Sequence, residues 1–487
     1  AQGAKIGTDL GIIPIEECAH ASITRTGEIT NFLNNGLRDV FRLTTKYGYE
    51  VECTHDHRIK VIGETGHEEW RVLENLKTGD SIILSVPRFA EEIYVHKWKE
   101  NFVEHSITIT PELGRFLGIF MGDGSYCDHV LSIACDARDT DFIDSTIELA
   151  YNLFGIKLNK RLLGKNKGCC EIRAKKQSLT PYFRELGIID HEWKETGTKR
   201  KVCVPEIIWR SPEPVVKEFL RGIFETDGFN GYEVPKIGLF SKHLNFLKDI
   251  QLLLLGFGIT SIIRQRPAKT NQYHYIANTL TLQGEQADYY RNKIGFLSER
   301  KQERFTTWEV KSYIKRTKVI LSDVVSSIDF VGPKQVYDIT IRKSHEFSAN
   351  GILVHNCEES FQATGARVFS PAYVNQARKH KMEPDFVGDV RGKTIRDKTA
   401  LEDIEFIEAN RGNLFIWMYP DKEEQVSNRY VVSMDIGGRS PEADYTVMRV
   451  FDRYGIMDGG VPETVATFKG HIDQDLGAWK AVQLAKF

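Results

Sequence analysis

Through the first ~95 residues, polar and apolar positions alternate with the two-residue period of β-strands. Glu28–Thr30, Asp39–Thr45, Tyr49–Cys53 and Ile59–Ile62 carry this pattern, with Gly, Asn and Asp punctuation between them. Lys77-Thr-Gly-Asp80 is a turn signal feeding a further strand that ends at Leu84. From roughly residue 100 to 312 the pattern changes to alternating helix and strand. Two stretches there resemble one another: Gly118-Ile-Phe-Met-Gly-Asp-Gly124 and Gly222-Ile-Phe-Glu-Thr-Asp-Gly228. Downstream of each, an amphipathic helical pattern ends in Phe-Gly-Ile, at Phe154–Ile156 and Phe257–Ile259, so an internal duplication is predicted. After a basic, polar junction between Arg300 and Lys318, strand character returns at Val336–Ile341 and Ile352–Val354. The β-segment is therefore expected to be split, with the duplicated module inserted in one of its loops. Beyond Cys357 a polar stretch runs to about residue 425 and leads into the strand Tyr430–Asp435.

A length of 487 residues exceeds one ordinary core and suggests about three domains. The composition, 41% hydrophobic and 27% charged, is that of a folded soluble protein. With a formal net charge of -2, any DNA-binding surface must be a local patch. The eight cysteines contain no CxxC pair, which points to thiols in a reducing cytoplasm rather than a disulfide framework. No apolar run is long enough to cross a membrane, and no basic-then-apolar leader opens the chain. The expectation is a soluble cytoplasmic monomer without membrane contact.

Breaking a peptide bond by asparagine cyclisation needs three groups in one place. They are the Asn side-chain nitrogen, a donor that polarises the Asn carbonyl, and a nucleophile that follows it. His355, Asn356 and Cys357 supply them in order. Val336-Tyr-Asp338, His345-Glu-Phe347, Ala349-Asn-Gly351 and Val354-His-Asn356, together with Thr54-His-Asp-His57 and Lys77–Asp80, resemble the conserved blocks of inteins. The resemblance implies an all-β, horseshoe-like Hint splicing domain. It also implies that Thr54 and His57 polarise the amino-terminal scissile peptide, and that Asp338 grounds the nucleophile and times transfer to Cys357. His345 and His355 would assist cyclisation of Asn356, with no cofactor. One departure stands out: inteins usually begin with Cys or Ser, whereas Ala1 carries no nucleophile. Either an original cysteine was replaced to trap a precursor, or the chain belongs to a minority type in which Cys357 attacks directly. The first is the expectation, with cleavage after Asn356 the most that the chain achieves and ligation excluded.

In the duplicated module Gly114, Gly118 and Gly122 fall at i, i+4 and i+8, on one helix face. Glycine is costly inside a helix, so close approach of a second helix, carrying Gly222 and Thr226, is expected. Each helix ends on an acid, Asp123 or Asp227, and two packed helices would bring these carboxylates together to hold divalent metal against DNA phosphates. Leu113–Gly124 and Phe219–Gly228 resemble the paired motifs of LAGLIDADG homing endonucleases, which commonly sit inside inteins. This implies an α/β domain with a pseudo-two-fold duplication, magnesium as cofactor, and double-stranded DNA as partner, the target being the host gene lacking the insertion. Lys175 or Lys176 stands where the family often keeps a lysine, while Thr279–Gly284 in the second half offers none and Lys242 is a weaker candidate. Lys157–Arg161, Lys165, Lys167, Arg173, Arg264, Arg266 and Tyr273–Tyr275 would contact DNA. A remnant that binds DNA without cutting is the alternative.

Cys357–Phe369, Tyr430–Gly438 and Ala443–Val447 resemble parts of phage terminase large subunits. The resemblance implies a fragment of an RNase H-like α/β nuclease domain whose Asp435 binds metal, joined in cis as the host extein. No GxxxxGK[ST] phosphate-binding loop appears, so no packaging ATPase is expected. The expected division is 1–98 and 314–356 for the two parts of the splicing domain, 99–313 for the endonuclease, and 357–487 for the terminase fragment.

Overall fold

The computed structural model describes residues 1–63, 65–100, 103–162, 168–189, 203–269, 274–308, 320–342, 344–355, 384, 386–391, 401, 404–420, 429–438, 440, 444–453 and 463–487. They form two compact units, divided after Glu358.

The first unit opens with β1 (Lys5–Thr8), β2 (Gly11–Pro14), β3 (Ile29–Thr45), β4 (Glu50–Cys53), β5 (Arg58–Ile62), β6 (Glu68–Val72) and β7 (Ser81–Ile83). A separate hairpin, β8 (Val95–Glu100) and β9 (Val103–Thr108), leads into the duplicated module. Its first half contains α1 (Pro111–Asp123), β10 (Gly124–Cys127), β11 (Val130–Asp136), α2 (Thr140–Phe154), β12 (Asn159–Leu162), β13 (Cys169–Lys175) and α3 (Leu179–Glu185). The second contains α4 (Glu206–Trp209), α5 (Glu213–Thr226), β14 (Gly228–Asn230), β15 (Lys236–Ser241), α6 (Leu244–Gly256), β16 (Ile262–Lys269), β17 (His274–Gln283), α7 (Glu285–Lys293) and α8 (Glu299–Glu303). The chain then returns to the first sheet as β18 (Ser322–Ile341), β19 (Glu346–Ala349) and β20 (Ile352–His355).

The sheet order β2-β1-β19-β20-β5-β7-β18-β3-β4, with β6 on β5, interleaves strands from both ends of this unit. The expected split β-domain is thus realised by strand pairing. The duplication is equally plain: β10-β11-β13-β12 and β14-β15-β17-β16 are sheets of one topology, the first entered from the glycine-lined α1 and the second from α5, which carries Gly222. Buried residues from Ala4 to Val354 form one continuous core, so the inserted module and the split sheet share an interior.

One local expectation differs. Asn34-Asn35-Gly36 punctuates the sequence between two predicted strands, yet β3 runs unbroken through it for 17 residues. The register with β18 passes from Leu37↔Gln335 to Asn34↔Tyr337, and Gly36 takes φ +72. The extra residue is absorbed as a bulge, because β18 pairs along the whole length of β3.

The second unit is a six-stranded sheet, order β22-β21-β23-β26-β25-β24, with a helix. Its strands are β21 (Phe386–Arg391), β22 (Glu405–Glu408), β23 (Leu414–Ile416), β24 (Tyr430–Asp435), β25 (Thr446–Asp452) and β26 (Glu463–Gly470), followed by α9 (Gln474–Lys486). Three of these strands lie in the stretch that reads as polar, and pairing recruits them around a core of Val390, Leu414, Ile416, Met448, Val450 and Phe468.

Candidate functional site

The β19–β20 hairpin turns on Asn350 (φ +49) and Gly351 (φ +83), two consecutive left-handed residues, which is the Asn-Gly geometry that suits the twist of a two-residue hairpin. His345 enters β19 in the left-handed region as well, at φ +53. The hairpin brings the His345 and His355 rings to 6.3 Å between centroids, with planes 18° apart. Trp70 on β6 meets His355 edge-on at 4.8 Å and 88°. Lys60 lies 4.4 Å over the Trp70 ring and pairs with Glu346 at 3.1 Å. Neither Trp70 nor Lys60 is marked by any motif in the sequence.

Pairing of Val354 with Ile59 sets β20 beside β5, just after the Thr54–His57 turn, which the His57 N–H closes onto the Thr54 carbonyl at 3.2 Å. Although part of the His57 surface reaches solvent, burial pushes its imidazole down to about 4. The Ala1 ammonium and His355 push the same way, with Asp56 opposing. The Ala1 nitrogen donates to the Glu52 carbonyl at 2.8 Å, and burial lowers this ammonium below its usual range. Burial disfavours the charge of Glu52, but Lys334 at 2.6 Å and Arg42 at 2.7 Å outweigh it and hold the carboxyl below its usual range. Cys53 is buried and its thiol is pushed up to about 12, mainly by that burial, so it is unreactive at neutral pH. Asp338 is buried on β18 and accepts from the Ile339 N–H at 2.9 Å. Asn356 and Cys357 lie outside the described residues.

In the module, Thr110 caps α1 by accepting from the Leu113 N–H, with Pro111 in the first turn. The backbones of α1 and α5 touch. A methyl group added at Gly114 would stand 2.6 Å from the Val215 carbonyl, and one at Gly222 would stand 2.6 Å from the Arg115 carbonyl. Additions at Gly118 and Gly122 would overlap the Phe219 carbonyl and the Thr226 side chain. The glycine stripe therefore has the close-approach role expected of it. Asp123 ends α1, and Asp227 caps α5 just beyond Thr226, the residue against Gly122. The two acids accordingly sit at the same end of the helix pair.

The strand registers relate the halves quantitatively. Gly124 aligns through Ile133 to Ile172, and Gly228 aligns through Leu239 to Leu280. Three residues along each final strand stand Lys175 and Gln283, so Gln283 is the equivalent of Lys175. Both Lys175 and Lys176 are exposed at the Val130 end of β13, and the Lys176 N–H donates to the His129 carbonyl at 2.8 Å. A different lysine reaches the acid-bearing end. The buried Lys301 ammonium donates to the Gly228 carbonyl at 2.8 Å, the Phe224 carbonyl at 3.3 Å and the Glu225 carbonyl. Burial lowers its pKa, and the Asp123 charge is among those opposing that effect. Lys301 falls in a stretch that reads as a basic junction, so nothing local distinguishes it.

Lys157, Lys160, Arg161, Arg264 and Arg266 are exposed, while the partly buried Arg173 pairs with Glu171 at 2.9 Å. Lys165, Lys167 and Tyr273 lie outside the described residues. Among those described, no group of three or more His, Cys, Asp or Glu forms a ready-made metal cage. Asp123 and Asp227, at one end of the helix pair, offer the oxygen ligands that a hard divalent cation takes, with substrate phosphate and water left to complete the coordination.

In the second unit Asp435 closes β24 opposite Val447. Nearby, Tyr445 stacks on His471 at 4.1 Å, with Lys469 4.5 Å over the Tyr445 ring. Cys357–Phe369 lies outside the described residues.

Residues 10–356 match the family model for the intein splicing domain. The chain is 28% identical to glutamine–fructose-6-phosphate aminotransferase of Methanocaldococcus jannaschii over 42% of its own length and 18% of that protein. It is 26% identical to the ribonucleoside-diphosphate reductase NrdEB subunit alpha of Bacillus subtilis over 68% and 31%. It is 28% identical to a DNA polymerase of Thermococcus litoralis over 53% and 15%. It thus spans less than a third of each of these relatives. Among solved structures it is similar to the homing endonuclease I-DmoI bound to DNA and Mn, with TM-score 0.29 and 12% identity over 38% of this chain and 97% of that one. It is also similar to the Ssp DnaB mini-intein, with TM-score 0.22 and 10% identity over 73% and 96%. No helix among the described residues is long and apolar enough to cross a membrane. Since one family model runs from β2 through the inserted module to Asn356, the chain belongs to the intein splicing family.

Proposed function

We propose that this intein cleaves the peptide bond after Asn356 and that its amino-terminal half-reaction is disabled at Ala1. The convergence of His345, His355, Trp70, His57 and Ala1 on one end of the β19–β20 hairpin carries this reading. With its imidazole pushed down to about 4, His57 is a neutral hydrogen-bonding group and only a weak proton acceptor near neutral pH. It is suited to polarising the amino-terminal peptide rather than to general-base work, and Thr54 closes the turn that orients it. His355 and His345 polarise the Asn356 carbonyl as the side-chain amide attacks it, and Cys357 is the acceptor nucleophile. Asp338, buried on β18, times the transfer to Cys357.

The inserted module is read as a homing endonuclease. Asp123 and Asp227 hold the divalent ion, which when bound would activate water and stabilise the leaving oxygen. The exposed basic residues of β12 and β16 track phosphates of double-stranded DNA. Lys175 and Gln283 occupy equivalent strand positions in the two halves, an asymmetry consistent with unequal cutting of the two DNA strands. Residues 357–487 are read as a phage terminase fragment with Asp435 as a metal ligand, and the division into 1–98, 99–313, 314–356 and 357–487 follows.

Mass analysis of the purified chain over time tests the cleavage reading. Release of a fragment beginning at Cys357, stopped by Asn356→Ala, is expected; release that persists in the variant overturns it. Changing Ala1→Cys behind an upstream host segment should restore ligation. Efficient ligation with Ala1 retained would overturn the trapped-precursor reading.

A further inference from the structure

Helix α6 belongs to the inserted module by chain order, yet it is buried on nearly every side: Phe246, Leu247, Ile250, Gln251 and Leu252–Leu255 are all buried. A helix buried on nearly every side must have partners on more than one face. One partner is its own module, which α6 contacts through β15, β16 and β17. The other is the turn of the β19–β20 hairpin. A methyl group at Gly351 would lie 2.5 Å from Leu255 Cδ2, with Leu252 Cδ1 at 3.4 Å and Tyr49 Cδ1 at 3.6 Å.

Polar contacts clamp the same region. Asn350 exchanges bonds with β1, its N–H donating to the Lys5 carbonyl at 2.9 Å and its Oδ1 accepting from the Lys5 N–H at 2.7 Å. Its Nδ2 donates to the Glu50 carbonyl at 3.0 Å, and the Glu50 carboxylate pairs with Lys248 of α6 at 2.7 Å. Gln251 of α6 donates to the Tyr47 carbonyl at 2.9 Å and the Ser261 carbonyl at 2.8 Å, tying the β3–β4 turn to the module. The turn is thus gripped from β1, from β4 and from α6.

We infer that α6 is a positioning element for carboxy-terminal cleavage: its Leu252–Leu255 face holds the Asn350–Gly351 turn, and with it the strand leading to Asn356. The inference rests on the reading of Asn356 as the cleaving residue. The physical reason is leverage. Only three residues lie between Gly351 and His355, and a β-strand transmits a shift at its turn directly to its far end. A displacement of about 1 Å at a reacting group costs on the order of a hundredfold in rate. The inserted module would then be part of the splicing machinery, not a passenger in a loop.

The test uses the full chain and two readouts. Leu255→Ala removes the contact with the turn and should slow release of the Cys357 fragment roughly tenfold or more. Leu255→Met should restore most of the rate. Phe183→Leu loosens the first half of the module, where Phe183 meets Phe116, Phe120, Tyr126 and Phe154, and should leave release unchanged. Amide exchange at Lys5 and Asn350, followed in Asn356→Ala chains that hold the bond intact, should quicken with Leu255→Ala and stay constant with Phe183→Leu. Unchanged exchange with Leu255→Ala overturns the inference, as does equal slowing of release by Phe183→Leu. Release that survives Asn356→Ala defeats the cleavage reading instead, and the exchange result still decides whether α6 holds the turn.

Discussion

The His355 ring meets two others, with His345 near-parallel to it at 6.3 Å between centroids and Trp70 edge-on at 4.8 Å. Trp70 is itself held, because Lys60 lies over its ring and is anchored to Glu346 at the start of the same hairpin.

Removing that wall is the first prediction. An aromatic pair contributes about 0.5–1.5 kcal/mol beyond its buried area, equivalent to roughly two- to twelvefold in rate. Trp70→Leu should slow release of the Cys357 fragment by that factor while leaving the unfolding midpoint nearly unchanged. A rate equal to that of the parent chain would remove Trp70 from the site.

His57 makes stability depend on pH in a defined direction. Its folded value, about 4, lies below the ordinary value of 6.5, so between them the unfolded chain binds more protons. Stability contributed by the neutral ring is complete above about pH 6.5 and falls as pH drops toward 4. Urea midpoints of the parent and His57→Gln chains, compared at pH 7, 5.5 and 4.5, should show the parent losing more with acid. Parallel losses would mean that His57 titrates normally.

The contact between α1 and α5 sets a steric limit. Gly118→Ala places a methyl group on the Phe219 carbonyl, and overpacking of this kind costs about 1–3 kcal/mol or more. Gly168→Ala, with open space around the added carbon, should be close to neutral. Thermal unfolding of the two variants measures the difference.

For the module, Asp123→Asn and Asp227→Asn should each lower magnesium-dependent cutting of an intein-less host site by about a hundredfold or more, with circular dichroism unchanged. Chelation by EDTA should stop cutting and added magnesium restore it. Full cutting by either variant would leave the carboxylates as turn caps only.

Some of the site is legible without coordinates because it is local chemistry. The His355-Asn356-Cys357 order, the Thr54–His57 turn and the two acid-ended glycine helices each lie within about a dozen residues, a span over which spacing and side-chain type carry the information. The strand alternation before Leu84 and after Val336 likewise announced a split β-domain. What remained hidden depends on long-range pairing. Trp70 reaches His355 because β5 pairs with both β6 and β20, and Lys301 reaches the carbonyls of Phe224, Glu225 and Gly228 across more than 70 residues. Gln283 becomes the counterpart of Lys175 only through strand register. The Asn34–Gly36 punctuation became a bulge for the same reason, since β18 supplied a partner for every part of β3. By itself the sequence determined which chemical groups are present and the local elements that carry them. Tertiary structure alone decided which of those groups meet, because contacts between distant residues depend on registers and packing that no local pattern records.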